Sequence, residues 1–243
     1  MSVATFLFHS ELGTFLSRER RQRAFEYACA RAATLKQAIE SIGVPHTEVG
    51  PVDVNGQPAT LARAVRDGDR VEVFPYASGT APFEEPLAFI ADAHLGGLAH
   101  MLRMLGFDTV YHNHLQDAEI VTRSAAERRV VLTRDRELLK CRDVLRGAFV
   151  HALKPEAQLR EIAARYALAR HMQPFSLCLH CNLPLTPANP GRVAESVPER
   201  IRERYTVFTA CAGCCRIYWE GSHWERMRTV LADALDVAAA QVS

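Results

Sequence analysis

Five of the seven cysteines lie in a pattern suited to metal binding. Two Cys-x-x-Cys pairs supply four thiols: Cys178, Cys181, Cys211 and Cys214. In an intracellular chain, paired motifs of this kind favour zinc over disulfides. Four thiolates complete the tetrahedral coordination of zinc, so the predicted role of the ion is structural. Cys215 follows Cys214 directly, and the spacing leaves open which of the two is the fourth ligand.

Three aspartates stand where predicted secondary-structure elements begin or end. Asp92 closes an apolar run, Asp117 begins a helical pattern, and Asp135 follows directly on another apolar run. Ligands of open α/β sheets bind outside the carboxyl ends of the strands, so these side chains should meet at one edge. Clustered carboxylates need a cation, and hard oxygen ligands suit magnesium or manganese. Such a metal activates water and stabilises charge on a phosphate.

Each aspartate also has a simpler interpretation. Asp92 could cap the helix that follows it, Asp117 could cap its helix, and Asp135 could form a turn. Glu119, two residues past Asp117, could serve as the second ligand instead. The three aspartates together, rather than any one of them, indicate the metal site.

Basic and aromatic side chains near these motifs are candidates for contacts with RNA. Seven arginine and lysine side chains fall within the 19 residues from 128 to 146. A solvated helix face with mixed charges explains such a run, and so does a rim that contacts phosphate. The predicted contacts are Arg128, Arg134 and Arg136. Aromatic residues at 218, 219 and 224 could stack on bases, although packing over a small core is the favoured interpretation.

The first 80 residues have the pattern of a separate small domain. The strand-like runs are 3–8, 24–30, 52–56 and 70–75. A helical pattern at 34–43 has Thr34 as its N-cap and Gly43 as its stop. These elements outline an α+β domain of the β-grasp type, and a linker rich in glycine, proline and small polar residues follows at 77–86.

Beyond the linker, strands alternate with helices, which predicts an α/β domain whose mostly parallel sheet is covered on both faces. The predicted strands are 87–92, 107–112, 129–135 and 147–153. The predicted helices are 96–106, 117–127 and 155–168. We expect three domains, at 1–80, 86–170 and 171–230, with a final helix that reaches 243.

Composition excludes several classes of protein. Hydrophobic residues make up 48% of the 243 residues and charged residues 23%, which is ordinary globular usage. No apolar run approaches the roughly 20 residues that a membrane span needs. The N-terminus lacks the basic region of a secretory signal, so we expect a cytoplasmic protein. The net charge of +1 argues neither for nor against a nucleic-acid partner.

All three parts of the chain carry a family resemblance. The segment FIADAHLGGLAHMLRMLGFDTVYHNHLQDAEIVTRSAAERRVVLTRDRELL resembles the PIN-like ribonuclease domain of the Mut-seven C-terminal family. The segments SLCLHCN and CAGCCRIYWEGSHWERM resemble the zinc ribbon of the same family. The segment VNGQPATLARAVRDGDRVEVFP resembles ubiquitin-like proteins of the sulfur-carrier class.

The resemblance implies a PIN-like domain, preceded by a ubiquitin-like β-grasp domain and followed by a zinc ribbon. It assigns the acidic positions of a PIN-type nuclease to Asp92, Asp117 and Asp135. The implied activity is hydrolysis of RNA with magnesium or manganese. Sulfur carriers act through a free C-terminal Gly-Gly, and this chain continues past that point. The ubiquitin-like domain is therefore expected to stabilise the protein or to dock a protein partner.

Two other functions are consistent with the sequence. The chain could be a non-catalytic RNA-binding module with vestigial aspartates, and metal titration would separate this function from a nuclease. It could also be an adaptor that binds another protein through its β-grasp domain. The sequence predicts neither the RNA that is cut nor the oligomeric state.

Overall fold

The computed structural model describes residues 1–240, apart from the side chains of residues 223, 226 and 234–240. The backbone forms three sheets, with five, four and three strands in chain order. No helix in this described part of the chain is long and apolar enough to cross a membrane. The predicted extension of the last helix to 243 includes residues 241–243, which lie outside the described residues.

The N-terminal sheet has the strand order of a β-grasp domain, β2-β1-β5-β3-β4. Its strands are β1 (Ser2–Phe8), β2 (Phe25–Cys29), β3 (Val49–Val54), β4 (Gln57–Ala59) and β5 (Arg70–Pro75). β1 pairs in parallel with β5, and the other pairs are antiparallel. One helix, α1 (Leu35–Ile42), packs Leu35 and Ile39 against the buried face of the sheet. The predicted β-grasp outline is confirmed.

Local sequence signals account for the ends of these elements. Thr34 caps α1 reciprocally, because its hydroxyl accepts from the backbone N–H of Gln37 at 3.3 Å and Gln37 Oε1 accepts from the N–H of Thr34 at 2.9 Å. Gly43 ends the helix at a φ of +125°, a conformation that favours glycine. Asn55 and Gly56 turn the β3–β4 hairpin with φ values of +55° and +75°, as a type I′ turn requires.

The central sheet is entirely parallel, with the order β7-β6-β8-β9. Its strands are β6 (Phe89–Ala91), β7 (Thr109–Val110), β8 (Val130–Thr133) and β9 (Gly147–Phe149). Its helices are α2 (Gly96–Met104), α3 (Asp117–Ala126), α4 (Arg136–Lys140) and α5 (Pro155–Tyr166). Phe89 and Leu132 pack in one core with α2 and α5, whereas Ile90 and Val131 pack in another with α3 and α4. The predicted parallel sheet with two covered faces is confirmed.

This strand order creates a topological switch point between β6 and β8. The chain leaves β6 through α2 to reach β7 on one side, and then returns through α3 to β8 on the other side. Ligands of open α/β sheets bind at such a point, outside the carboxyl ends of the strands. Asp92 directly follows β6, and Asp135 lies two residues past β8.

The third sheet is a small antiparallel ribbon of β10 (Leu185–Pro187), β11 (Thr209–Cys211) and β12 (Ile217–Tyr218). The long segment between the two cysteine pairs holds β10 and two short helices, α6 (Pro190–Ser196) and α7 (Glu199–Arg204). The last helix, α8 (Ser222–Ala240), places Leu231 in the core formed by α2 and α5. The ribbon is therefore attached to the central sheet through its following helix.

A buried ion pair joins the N-terminal domain to the central domain. The side chain of Glu48 is 3% exposed. Its Oε2 lies 2.7 Å from Nη1 of Arg165, and its Oε1 accepts from the backbone N–H of Phe149 at 2.8 Å. Arg165 also donates to the carbonyl oxygens of Thr47 and Gly147. These bonds connect α5 and β9 to the turn before β3, so the two domains share one buried polar network.

We expect Glu48→Gln to lower the free energy of unfolding by about 3–5 kcal/mol, because it leaves the largely buried Arg165 without its counter-charge. Glu85→Gln is the control: Glu85 is 73% exposed and lies 3.5 Å from His171. Losing that surface pair should cost less than about 1 kcal/mol. Urea unfolding measures both variants, and equal losses would show that the buried pair has no special role.

Candidate metal centres

The four predicted cysteines form one compact group. The Sγ atoms of Cys178, Cys181, Cys211 and Cys214 all lie within 4.8 Å of one another. Cys178 and Cys214 are 3.6 Å apart, close to the roughly 3.8 Å expected for two sulfurs bound tetrahedrally to zinc at about 2.3 Å. The soft donor set and this spacing fit a structural zinc ion. The predicted four-cysteine group is confirmed, whereas the zinc ion itself stays a prediction.

The cysteine group contains Cys214 rather than Cys215. Cys214 belongs to the group, whereas Cys215 is exposed and has a φ of +61°. The backbone N–H of Arg216 bonds to the Cys214 sulfur and lowers the pKa of this thiol to about 6. A lower pKa favours the thiolate, which is the form that binds a metal.

A buried arginine that the sequence reasoning missed faces the cysteine group. Arg103 on α2 is 4% exposed, and its guanidinium donates to the carbonyl oxygens of Thr109 and Leu179 at 2.8–3.0 Å. Burial lowers the pKa of Arg103, and the charges of Cys178, Asp108 and Cys181 counteract this by favouring the charged form. Four thiolates around one zinc ion carry excess negative charge, which this cation offsets. The available signal was an arginine inside the apolar run of α2.

The first cysteine pair also docks onto the edge of the central sheet. Asn182 accepts from the backbone N–H of Thr109 at 3.0 Å, and its amide nitrogen donates to Asp108 at 2.5 Å. Thr109 begins β7, an edge strand of the sheet. The cysteine loop therefore bonds to a backbone group that would otherwise lie at an open sheet edge.

The carboxyl ends of β6 and β8 are joined by a chain of hydrogen bonds. The hydroxyl of Thr133 donates to Oδ2 of Asp92 at 2.7 Å and accepts from the backbone N–H of Asp135 at 2.9 Å. Oδ1 of Asp135 then accepts from the N–H of Glu137 at 2.7 Å, so Asp135 is the N-cap of α4. Thr133 is fully buried and was not singled out from the sequence. The structure thus couples Asp92 to Asp135 across two adjacent strands.

Asp117 and Glu119 lie in different surroundings at the start of α3. Asp117 is exposed and is the first residue of the helix. The interpretation of Asp117 as the N-cap is wrong, because Gln116 takes that position and no side chain caps the helix. Glu119 lies 3.5 Å from Arg123 and 3.6 Å from His112. Glu119 therefore already has a cationic partner in Arg123.

The structure does not gather all the predicted carboxylates into one cluster. Among the described residues, the cysteine quartet is the only set of three or more potential ligands whose donor atoms all lie within 4.8 Å. Burial raises the pKa of the Cys141 thiol, and the charges of Asp117 and Asp135 raise it further. Both carboxylates thus act on one thiol. A cation shared by Asp92, Asp117 and Asp135 stays a prediction.

The three predicted RNA-contacting arginines lie at opposite ends of strand β8. Arg128 precedes β8 and lies 2.8 Å from Glu84, whereas Arg134 and Arg136 follow this strand. The length of β8 therefore separates Arg128 from the aspartates. Arg136 donates to the carbonyl oxygen of Phe15 in the N-terminal domain at 3.2 Å.

These features define an α/β protein with carboxylates at the switch point of a parallel sheet, a β-grasp domain before it and a four-cysteine ribbon after it. The family model described as the Mut7-C RNAse domain matches residues 87–231, and the model described as Mut7-C ubiquitin matches residues 1–80. The chain belongs to the Mut7-C RNase family, and its N-terminal domain is of the ubiquitin-like type found with it. The family description suggests a nuclease-like function.

The other comparisons add no relative that informs function. None of the curated proteins matches this chain. Among solved structures, L-proline dehydrogenase from P. horikoshii is 12% identical, with 90% of this chain and 39% of that chain covered. The TM-score of 0.17 is too low to indicate a common fold.

We expect the purified protein to hold one zinc ion per chain, and Cys178→Ser to lose it together with the folded ribbon, because zinc binding in such sites drives folding. Cys215→Ser is the matched control: the exposed sulfur lies outside the quartet, so zinc content should not change. Elemental analysis measures both. Well-folded natural protein without zinc would exclude the structural zinc site.

We expect Arg103→Met to weaken zinc binding about 10- to 100-fold, as loss of a partner outside the ligand shell typically does. The reason is that methionine fills the space but removes the buried positive charge beside the thiolates. Arg160→Met, at an exposed position of α5, is the control. Competition with a chromogenic chelator measures the affinity. Identical zinc affinities for Arg103→Met and Arg160→Met would refute the electrostatic role.

Proposed function

We propose that this protein is a metal-dependent ribonuclease whose centre lies at the switch point between β6 and β8. The observation that carries the proposal is the hydrogen-bonded path from Asp92 through Thr133 to Asp135. This path holds two carboxylates at the ends of adjacent parallel strands, where α/β proteins bind ligands. Membership of the Mut7-C RNase family supports a nuclease rather than another ligand-binding protein.

The hydrogen-bond pattern supports a role for both carboxylates as ligands. Within the described part of the chain, the path uses Oδ2 of Asp92 and Oδ1 of Asp135. The second oxygen of each carboxylate is left for a cation, and such oxygens suit magnesium or manganese. When bound, the cation would supply an activated water and would neutralise charge on the scissile phosphate. Thr133 and the N–H of Glu137 fix the orientation of the two carboxylates.

Asp117 is the better candidate for a third ligand than Glu119. Glu119 is already paired with Arg123 and lies near His112. Asp117 is exposed, and its charge acts on the same Cys141 thiol as the charge of Asp135. We infer that Asp117 supplies the third carboxylate and that Glu119 holds Arg123 in place.

The positions of the arginines narrow the proposed RNA contacts. Arg134 directly precedes Asp135, is exposed, and donates to the carbonyl oxygen of Ala152 at 2.8 Å. The carboxylates of Asp92 and Asp135 form what we call the acidic edge of the sheet. A guanidinium held beside this acidic edge can bind a phosphate of the substrate. Arg128 lies beyond the other end of β8, so we assign it no contact near the scissile bond. Arg136 donates to the N-terminal domain, so it contributes to the domain interface as well as to the proposed RNA contacts.

We expect Asp135→Asn to slow manganese-stimulated RNA cleavage by about two to three orders of magnitude, because loss of the cation removes several kcal/mol of transition-state stabilisation. Asparagine is as good an N-cap as aspartate, so α4 should remain folded. RNA binding should be unchanged or slightly tighter, because a negative charge is removed near phosphate. Single-turnover cleavage and filter binding at fixed salt measure the two effects.

Asp143→Asn is the matched control for this variant. Asp143 is exposed and also acts on the Cys141 thiol, so its replacement removes the same charge from the same region. It should cleave at the natural rate. Asp135→Asn protein that cuts as fast as the natural chain would disprove the proposed centre. Natural protein that binds RNA but is inert with magnesium and manganese would favour the non-catalytic RNA-binding module.

A further inference from the structure

An open apolar groove lies in the ribbon, between its sheet, α7 and the start of α8. Its volume is about 460 Å³, within the roughly 300–1,000 Å³ typical of small-ligand sites. Aliphatic side chains line it together with five aromatic ones: Phe175, Tyr205, Tyr218, Trp219 and Trp224. All five are half-buried, so their rings are in part accessible to solvent. The groove could therefore enclose a planar ring of the size of a nucleobase.

The open groove differs from the arrangement favoured by the sequence, in which the aromatic residues pack over a small core. If the aromatic residues covered a small core, they would fill it, since protein interiors contain few voids larger than a water molecule. In the ribbon, Val193 and Val197 are buried, whereas the rings surround open space. The difference arises because Phe175 and Met227 pack instead against the core of the central domain. Their outer surfaces then become one wall of the groove.

Contacts with neighbouring side chains fix the positions of aromatic rings in the groove. The hydroxyl of Tyr218 lies 3.1 Å from Sγ of Cys178, so the cysteine quartet anchors this ring. Phe175 and Trp224 contact each other with ring centroids 5.0 Å apart. Rings that are already positioned lose little conformational entropy on binding, which favours a ligand that stacks on them.

Arginine guanidinium groups lie over the rings of Trp224 and Tyr205. Arg228 lies 4.8 Å from the ring centroid of Trp224, and Arg204 lies 5.5 Å from that of Tyr205. Both arginines are exposed. Glu220 also lines the groove and offers an acceptor for the amino groups of bases. Aromatic faces combined with exposed guanidinium groups are the donor set by which proteins bind single-stranded nucleic acid.

We propose that this groove binds single-stranded RNA, with a base stacked among the aromatic rings and the flanking phosphates at Arg204 and Arg228. The proposal deepens the proposed ribonuclease function, because the bound strand would be its substrate. A peptide would also contact apolar walls. The two guanidinium groups beside aromatic faces favour RNA, which presents a planar base and anionic phosphates together.

The two tryptophans of the chain, Trp219 and Trp224, both line the groove. Intrinsic fluorescence is therefore a direct readout of occupancy. We expect a single-stranded RNA of about ten nucleotides, titrated without added magnesium or manganese, to quench this fluorescence saturably. An apolar peptide of similar length is the comparison. Quenching by the peptide and not by the RNA would overturn the proposal in favour of a protein partner.

Substitutions test the two parts of the groove separately. Trp224→Leu should weaken RNA binding about 5- to 140-fold, since stacking of one base is worth about 1–3 kcal/mol. Arg204→Ala removes an exposed side chain, so it should leave the fold and the zinc content unchanged. It should reduce the slope of log K against log salt by about 0.7, as expected for one lost phosphate contact to a single strand.

Arg192→Ala is the matched control, because Arg192 is an exposed ribbon arginine that does not line the groove and donates to the carbonyl oxygen of Cys215. Groove variants that bind RNA as tightly as this control would overturn the inference. The outcome is independent of cleavage. If the protein cleaves RNA but the groove variants bind RNA as tightly as the control, only the groove proposal is refuted. If the protein binds RNA through the groove but does not cleave it, only the ribonuclease proposal is refuted.

Discussion

The buried guanidinium of Arg103 connects the cysteine ribbon to the sheet that carries Asp92 and Asp135. Arg103 binds carbonyl oxygens of Thr109 on β7 and of Leu179 in the first cysteine loop. A buried charge bound only by neutral groups is unfavourable unless an opposite charge lies nearby. The sulfurs of the cysteine quartet provide it when they are thiolates around a metal, and the carboxylate of Asp108 contributes as well. The metal, the arginine and β7 are therefore energetically linked, and β7 leads through a short loop to Asp117 on α3.

The ubiquitin-like domain is integrated into the rest of the protein. Its Glu48 pairs with Arg165 of the central domain; Glu48 is buried and Arg165 is 18% exposed. The segment that would be a free tail in a carrier protein is also bound, because both Ser78 and Gly79 donate to the carbonyl oxygen of Ala164 on α5. A tail held in this way, within a continuous chain, supports a stabilising role for the domain. Docking of a protein partner would have to use its remaining surface.

The acidic edge shows that a structural role and a chemical role can coincide in one residue. Asp135 caps α4 with one oxygen, whereas the simpler interpretation of this aspartate from the sequence is a turn. The same bond fixes the direction of its other oxygen, as a metal ligand requires. Thr133 similarly satisfies the buried end of β8 and orients Asp92. The proposed centre is held by the backbone of two adjacent strands rather than by a mobile loop, and this favours a fixed geometry.

The sequence by itself determined the features that depend on neighbours in the chain. These include the capping box at Thr34, the hairpin turn after β3, the alternation of strands and helices, and the two cysteine pairs. Tertiary structure alone decided the features that depend on which distant segments meet. The fourth cysteine is Cys214 because the ribbon turns Cys215 outward, and Arg103 and Thr133 gain their roles only once β7, β6 and β8 are paired. The physical reason is that capping and turn chemistry act over a few residues, whereas burial and charge pairing depend on contacts between elements far apart in sequence.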